Sequence, residues 1–257
     1  MERITVVKIG GNVIENPGAL RRFVADFAAL PGPKVLVHGG GKEATRLAER
    51  LGVEVQMVEG RRITDAKMLE IATMVYAGAC NKRIVALLQA AGCDAIGLSG
   101  ADANAIRARR RSPEPIDFGF VGDIVGVASE RLRLLLEAGL TPVFSAIMHD
   151  GAGTLLNCNA DSVASAVAAG MAQCGTTDLV YCFEKAGVLR DADDESTVIP
   201  EITPADFAAL KAAGIVSSGM IPKIENALRS VDRGVRSVTI NRADALHDPA
   251  AGTTIHA

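Results

Sequence analysis

Short apolar runs alternate along the chain with longer stretches in which apolar positions recur every three or four residues. The runs at 4–9 (ITVVKI), 34–38 (KVLVH), 95–99 (AIGLS), 142–147 (PVFSAI), 154–158 (TLLNC), 179–183 (LVYCF) and 237–240 (SVTI) predict strands. Between them the spacing predicts helices near 17–30, 42–51, 65–91, 129–138, 160–174, 204–213 and 220–233. This alternation predicts an α/β fold, a three-layer αβα sandwich with a mainly parallel central sheet.

Local signals refine the picture. Thr203 can cap the helix near 204, Pro204 suits its first position, and Gly214 can end it. The helix at 65–91 carries small and apolar residues on more than one side, which suits either a homodimer interface or a central packed helix. The segment RARRRSPEPIDFGFVGDIVGVA breaks the strand–helix rhythm and reads as a β-hairpin excursion, placed to form a flap over a ligand. With no repeat or Gly/Ser linker, a lobe boundary near residue 175 would be a hinge within one continuous sheet.

The first strand poses a chemical problem. A strand covered on both faces has no place for an unpaired ammonium, whose burial would cost several kcal/mol, so Lys8 needs a neutralising partner. Composition adds limits: 257 residues, 49% hydrophobic and 22% charged, describe a folded chain with a large core. A net charge of −3 speaks against a general nucleic-acid binder, and Arg107 to Arg111 reads as a solvated loop or a local anion contact. No run of about 18 apolar residues and no leader-like N-terminus occurs, which predicts a cytoplasmic protein with no membrane partner. Five cysteines without a C-x-x-C pair predict reduced thiols.

Two glycine-rich turns follow strands, KIGGN (8–12) and HGGGKEA (38–44). Glycines there let backbone N–H groups approach an anion, which suits a phosphorylated ligand. The P-loop is excluded, because Lys42 is followed by Glu43 and Leu36 stands at the earlier glycine position. The frame from Gly39 to Ala44 fits the looser dinucleotide motif ending in Ala, with Glu59 as its acidic ribose partner, so a dehydrogenase competes as a reading. In LNCNAD (156–161), Asn159 or Asp161 can cap a helix, and in GMIPK (219–223) Lys223 opens another.

Taken in order, VKIGGN, VHGGGK, EGRRIT, LNCNAD, GMIPKIENAL and the closing AGTTI resemble the amino acid kinase family over nearly the whole chain. The resemblance implies one kinase domain over 1–257, with a substrate-binding and dimerising lobe at about 1–175 and a nucleotide lobe at about 176–257. It implies ATP-dependent phosphorylation, with Mg²⁺, of the γ-carboxylate of an N-acylated glutamate, acetyl or the longer succinyl, in arginine biosynthesis. Lys8 and Lys223 would contact the transferring phosphoryl group, and Asp161 would hold the two lysines. Gly10, Gly11, Gly219 and Met220 would meet phosphate and nucleotide, Gly40 and Gly41 the substrate oxygens, and Arg62 and Asn157 its amino-acid end. No direct protein ligand to the metal is expected. A noncatalytic sensor of the same fold is the competing class.

Two departures matter. Residues 182–188 (CFEKAGV) stand where many relatives carry a TDVPGV-like run, so the resemblance assigns no nucleotide contacts there, Lys185 included. Arginine-inhibited relatives carry an extra N-terminal helix, and a chain opening directly at the first strand is expected to be a homodimer without that feedback.

Overall fold

The computed structural model describes residues 3–58, 60–191, 193–216, 220–248 and 250–257. The strands are β1 (Ile4–Ile9), β2 (Lys34–His38), β3 (Met57–Val58), β4 (Arg61–Arg62), β5 (Ala95–Leu98), β6 (Ile106–Arg110), β7 (Gly122–Val127), β8 (Thr141–Ser145), β9 (Ile147–His149), β10 (Leu155–Asn157), β11 (Thr177–Phe183), β12 (Glu201–Ile202), β13 (Ser237–Arg242) and β14 (Thr253–Ile255). The α-helices are α1 (Gly11–Glu15), α2 (Pro17–Ala29), α3 (Gly41–Arg50), α4 (Ala66–Thr73), α5 (Asn81–Ala90), α6 (Ser129–Glu137), α7 (Ala160–Met171), α8 (Pro204–Ala212) and α9 (Ile221–Asp232).

Eight strands form one sheet in the order β12-β14-β13-β11-β1-β2-β8-β5. Every adjacent pair is parallel except β13 with β14. β11 and β1 therefore lie at its centre with β2 beside them, as expected for apolar runs covered on both faces. Alternation along β1 serves two cores: Ile4 and Val6 pack with Val163, Val167 and Ile224 of α7 and α9. Val7 and Ile9 pack on the opposite face with Phe23, Phe27, Ile84 and Leu88 of α2 and α5. Each fully buried side chain of this size contributes about 1.5–3 kcal/mol.

A second sheet, in the order β10-β9-β6-β7, contains the expected hairpin of β6 and β7. The predicted run at 142–147 is divided at Ala146: β8 stays in the main sheet, and β9 enters the second one. The basic cluster is divided as well, because Arg110 Nε donates to Gly119 O at 2.8 Å while Arg111 ion-pairs with Asp123. All five cysteines are free thiols.

A π-helical turn, Met74–Cys80, joins α4 and α5 into one continuous helix over Ala66–Ala90. By length and composition that helix could cross a membrane, yet Met68, Ile71, Tyr76, Cys80, Ile84 and Leu88 belong to the core. Met74 remains half exposed on its outer side.

Candidate active site

The carboxyl ends of the central strands carry the chemistry-bearing residues. Lys8 lies on the same face of β1 as Ile4 and Val6, by the two-residue period of a strand, and is only 8% exposed. Its neutralising partner is Asp161, whose Oδ1 lies 2.7 Å from Lys8 Nζ. Asp161 stands in the first turn of α7, where a carboxylate also favours the positive end of the helix dipole. Asn159 performs the capping, its side chain accepting from the Ser162 N–H at 3.0 Å, which leaves Asp161 available to the lysine.

Lys223 reaches the same place from the first turn of α9. Burial pushes its pKa down; Asp161 opposes this and Lys8 adds to it, so all three groups share one electrostatic neighbourhood. The ring of Phe183 lies beside both ammonium groups, its centroid 3.8 Å from Lys223 Nζ and 4.8 Å from Lys8 Nζ. Tyr181, two residues earlier on β11, stacks on that ring and donates its hydroxyl to Asp161 O at 3.1 Å. Sequence reasoning missed Phe183. The two-residue period places it on the Tyr181 side, but nothing in the sequence says that two lysines converge there.

A cavity of about 200 Å³ is lined by Gly39, Gly40, Gly41, Arg62, Asn157 and Asn159, together with Arg61, Arg111 and Tyr76. Arg62 is buried, and its Nη2 donates to Gly41 O at 2.9 Å and to Thr45 Oγ1 at 2.8 Å. Asn157 Nδ2 donates to Thr64 Oγ1 at 3.0 Å. Thr64 is stitched to the hairpin, since its N–H donates to Phe118 O at 2.9 Å and its carbonyl accepts from Phe120 N–H at 2.7 Å. Residues 60–64, the hairpin and β10 therefore wall the cavity together.

Gly40 is required by packing. A Cβ there would lie 2.7 Å from Tyr76 Cδ1 and 3.2 Å from Cys80 Sγ. Burial raises the Tyr76 pKa, with Arg62 opposing it, so the hydroxyl stays protonated at neutral pH. Cys80, pushed up to about 12 chiefly by burial, is an inert thiol bonded to Glu43. At the other glycine turn, Gly10 N–H donates to Cys182 O at 3.0 Å, tying the end of β1 to β11, and Gly11 opens α1. Met220 precedes α9. Gly219 lies outside the described residues, as does Glu59 of the dinucleotide reading.

The structure thus brings Lys8, Asp161 and Lys223 together. It places Gly40, Gly41, Arg62 and Asn157 around one cavity, into which Asn159 also opens. Among the described residues, no group of three His, Cys, Asp or Glu side chains is arranged to hold a metal.

Comparison with known proteins agrees with this architecture. An acetylglutamate kinase of Phocaeicola vulgatus is 50% identical over 254 residues, covering 99% of this chain and 98% of its own. One of Cytophaga hutchinsonii is 50% identical over 247 residues, covering 96% and 94%. The N-acetylglutamate synthase of Neisseria gonorrhoeae, solved with coenzyme A and N-acetyl-glutamate, superposes with a TM-score of 0.83 at 25% identity. That match covers 99% of this chain and 59% of the synthase. The amino acid kinase family profile matches residues 3–241, and the chain belongs to the amino acid kinase family.

Proposed function

We propose that this chain transfers the γ-phosphoryl group of ATP to the γ-carboxylate of N-acetyl-L-glutamate, giving an acyl phosphate in arginine biosynthesis. The observation that carries the reading is the convergence of Lys8, Asp161 and Lys223 at the strand ends, in a chain half identical to acetylglutamate kinases. The acceptor carboxylate is ionised at neutral pH, so attack on phosphorus requires no general base. A bond forms from the carboxylate oxygen to the γ-phosphorus, the bond to the bridging oxygen breaks, and ADP leaves with no proton transferred. Catalysis then rests on alignment and on neutralising charge at the phosphoryl oxygens, which is the work assigned to Lys8 and Lys223. Asp161 orients Lys8, Gly11 offers a backbone donor, and Gly219 and Met220 meet the nucleotide; the Gly10 N–H is already engaged by Cys182 O, so Gly10 serves by shaping the turn rather than as the phosphate donor expected from the sequence.

Arg62, Asn157, Gly40 and Gly41 are assigned to the amino-acid end, where a guanidinium can hold both oxygens of the α-carboxylate. Mg²⁺ would enter with the nucleotide and would supply neutralisation of charge on the phosphates, beside Lys8 and Lys223. We assign residues 1–175 to substrate and 176–257 to nucleotide. We also propose a cytoplasmic homodimer formed through the helix that exposes Met74.

A second reading, N-succinyl-L-glutamate, is favoured by Arg61 and Arg111, which line the cavity beside Arg62 and suit a second carboxylate. A hydroxylamine trap with Mg-ATP and N-acetyl-, N-succinyl- or free glutamate decides. Hydroxamate from an acylated substrate establishes the reaction and its acyl group. Nucleotide binding with no hydroxamate from any of the three would turn the reading toward a sensor.

A further inference from the structure

Lys8 and Lys223 carry like charges, and bringing them together requires stabilisation beyond one ion pair. Asp161 pairs with Lys8 at 2.7 Å. The π face of Phe183 approaches both ammonium groups, at 4.8 Å and 3.8 Å from its centroid. That face carries the negative lobe of the ring quadrupole, which attracts a cation and does nothing for a neutral amine. The ring itself is fixed: it stacks on Tyr181 at 5.8 Å, and Tyr181 is bonded to the residue that holds Lys8.

We propose that Phe183 is a positioning residue, whose ring holds the Lys8 and Lys223 ammonium groups in place at one site before the phosphoryl group arrives. The inference rests on the kinase reading above for its catalytic consequence, though not for its electrostatic one. Lys223 is faced by Asp161 from α7, Lys8 from β1 and Glu184 from the loop after β11; the two carboxylates favour its charge, while Lys8 and burial oppose it. Removing the ring takes away one stabiliser of the ammonium form, so Lys223 should lose its proton at lower pH.

The test compares Phe183→Leu, which keeps apolar bulk, Phe183→Tyr, which keeps the π face, and pentafluorophenylalanine at 183, which keeps the shape but reverses the quadrupole. Lysine Cε and Nζ signals are titrated by NMR in each variant, with Lys223→Arg used for assignment, and turnover is measured against pH. Leu and the fluorinated ring should lower the Lys223 titration by about one pH unit and move the alkaline limb of the turnover profile down by the same amount. Tyr should restore both. An unshifted titration in the Leu and fluorinated variants, with thermal unfolding unchanged, overturns the proposal. If the wild-type chain forms no hydroxamate, the kinase reading fails on that assay alone, and the lysine titration still decides the role of the ring.

Discussion

His38 Nε2 lies 3.0 Å from Asn81 Nδ2, and His38 Nδ1 lies 2.7 Å from Gly39 O. An amide nitrogen can only donate and a carbonyl can only accept, so the tautomer is determined: Nδ1 carries the proton and Nε2 accepts. Burial pushes the pKa of this fully enclosed imidazole down to about 4. The neutral ring braces the HGGGK turn from behind while Asn81 Nδ2 also donates to Val143 O at 2.9 Å.

Stability should therefore depend on pH through His38. Its folded pKa lies below the unfolded value, so the contribution is fully present above about pH 6.5 and is lost as pH falls toward 4. The loss over that window is on the order of 3 kcal/mol. Urea unfolding at pH 7 and pH 5 should show the fall in wild type and a flatter dependence in His38→Gln. Equal slopes in the two proteins would remove His38 from the account.

Lys8→Ala should lower turnover by about two to three orders of magnitude, since it removes one of two cations assigned to the transferring group. Folding should be affected less than turnover, because the Asp161 carboxylate left behind is partly exposed to water and still faces Lys223. Near-normal turnover in a hydroxamate assay would end the assigned role.

Asp161→Asn should act on both properties. It leaves the buried Lys8 ammonium without its anion, costing about 1–3 kcal/mol in a thermal melt. Turnover should fall with it, as Lys8 loses its fixed position. A variant that melts normally and turns over normally would show the pair to be incidental.

Arg62→Ala should raise the Michaelis constant for the acylated glutamate about 10- to 100-fold and change turnover less, since it removes carboxylate recognition. Arg62→Lys should recover little, because an ammonium cannot reproduce the planar fork. An unchanged Michaelis constant would move that recognition to Arg61 or Arg111.

Gly40→Ala drives a methyl group into Tyr76 and Cys80. Overpacking of this kind costs about 1–3 kcal/mol and should also displace the turn that lines the cavity. Calorimetry together with substrate titration checks both effects; an unaltered melting temperature would show that Tyr76 can yield.

The long elements were legible because each is stated locally. The runs ITVVKI and KVLVH match β1 and β2, and Thr203 caps α8 in a full capping box with Asp206. What escaped the sequence is short or depends on pairing. The five-residue α1 and the two-residue β3, β4 and β12 have too few positions to show a period. The continuous run at 142–147 hides the change of sheet at Ala146, which tertiary pairing decides. At the site, elementary physics required a partner for Lys8, whereas Asp161 was named by resemblance to known kinases. The Phe183 contact joins residues 175 positions apart to a third from another helix, and no local pattern records it.

The pairing of Lys8 with Tyr181 in the parallel register of β1 and β11 has a further consequence. Strand parity decides which face of the sheet each side chain joins. Deleting one residue from the middle of β1 would send the lysine toward Phe23 and Phe27 on the opposite face, even though every chemically important residue was still present in the gene. Tolerance to insertion and deletion should therefore be lowest in β1 and β11 and highest in the exposed connection at 112–117, so that for this protein the count of residues matters as much as their kind.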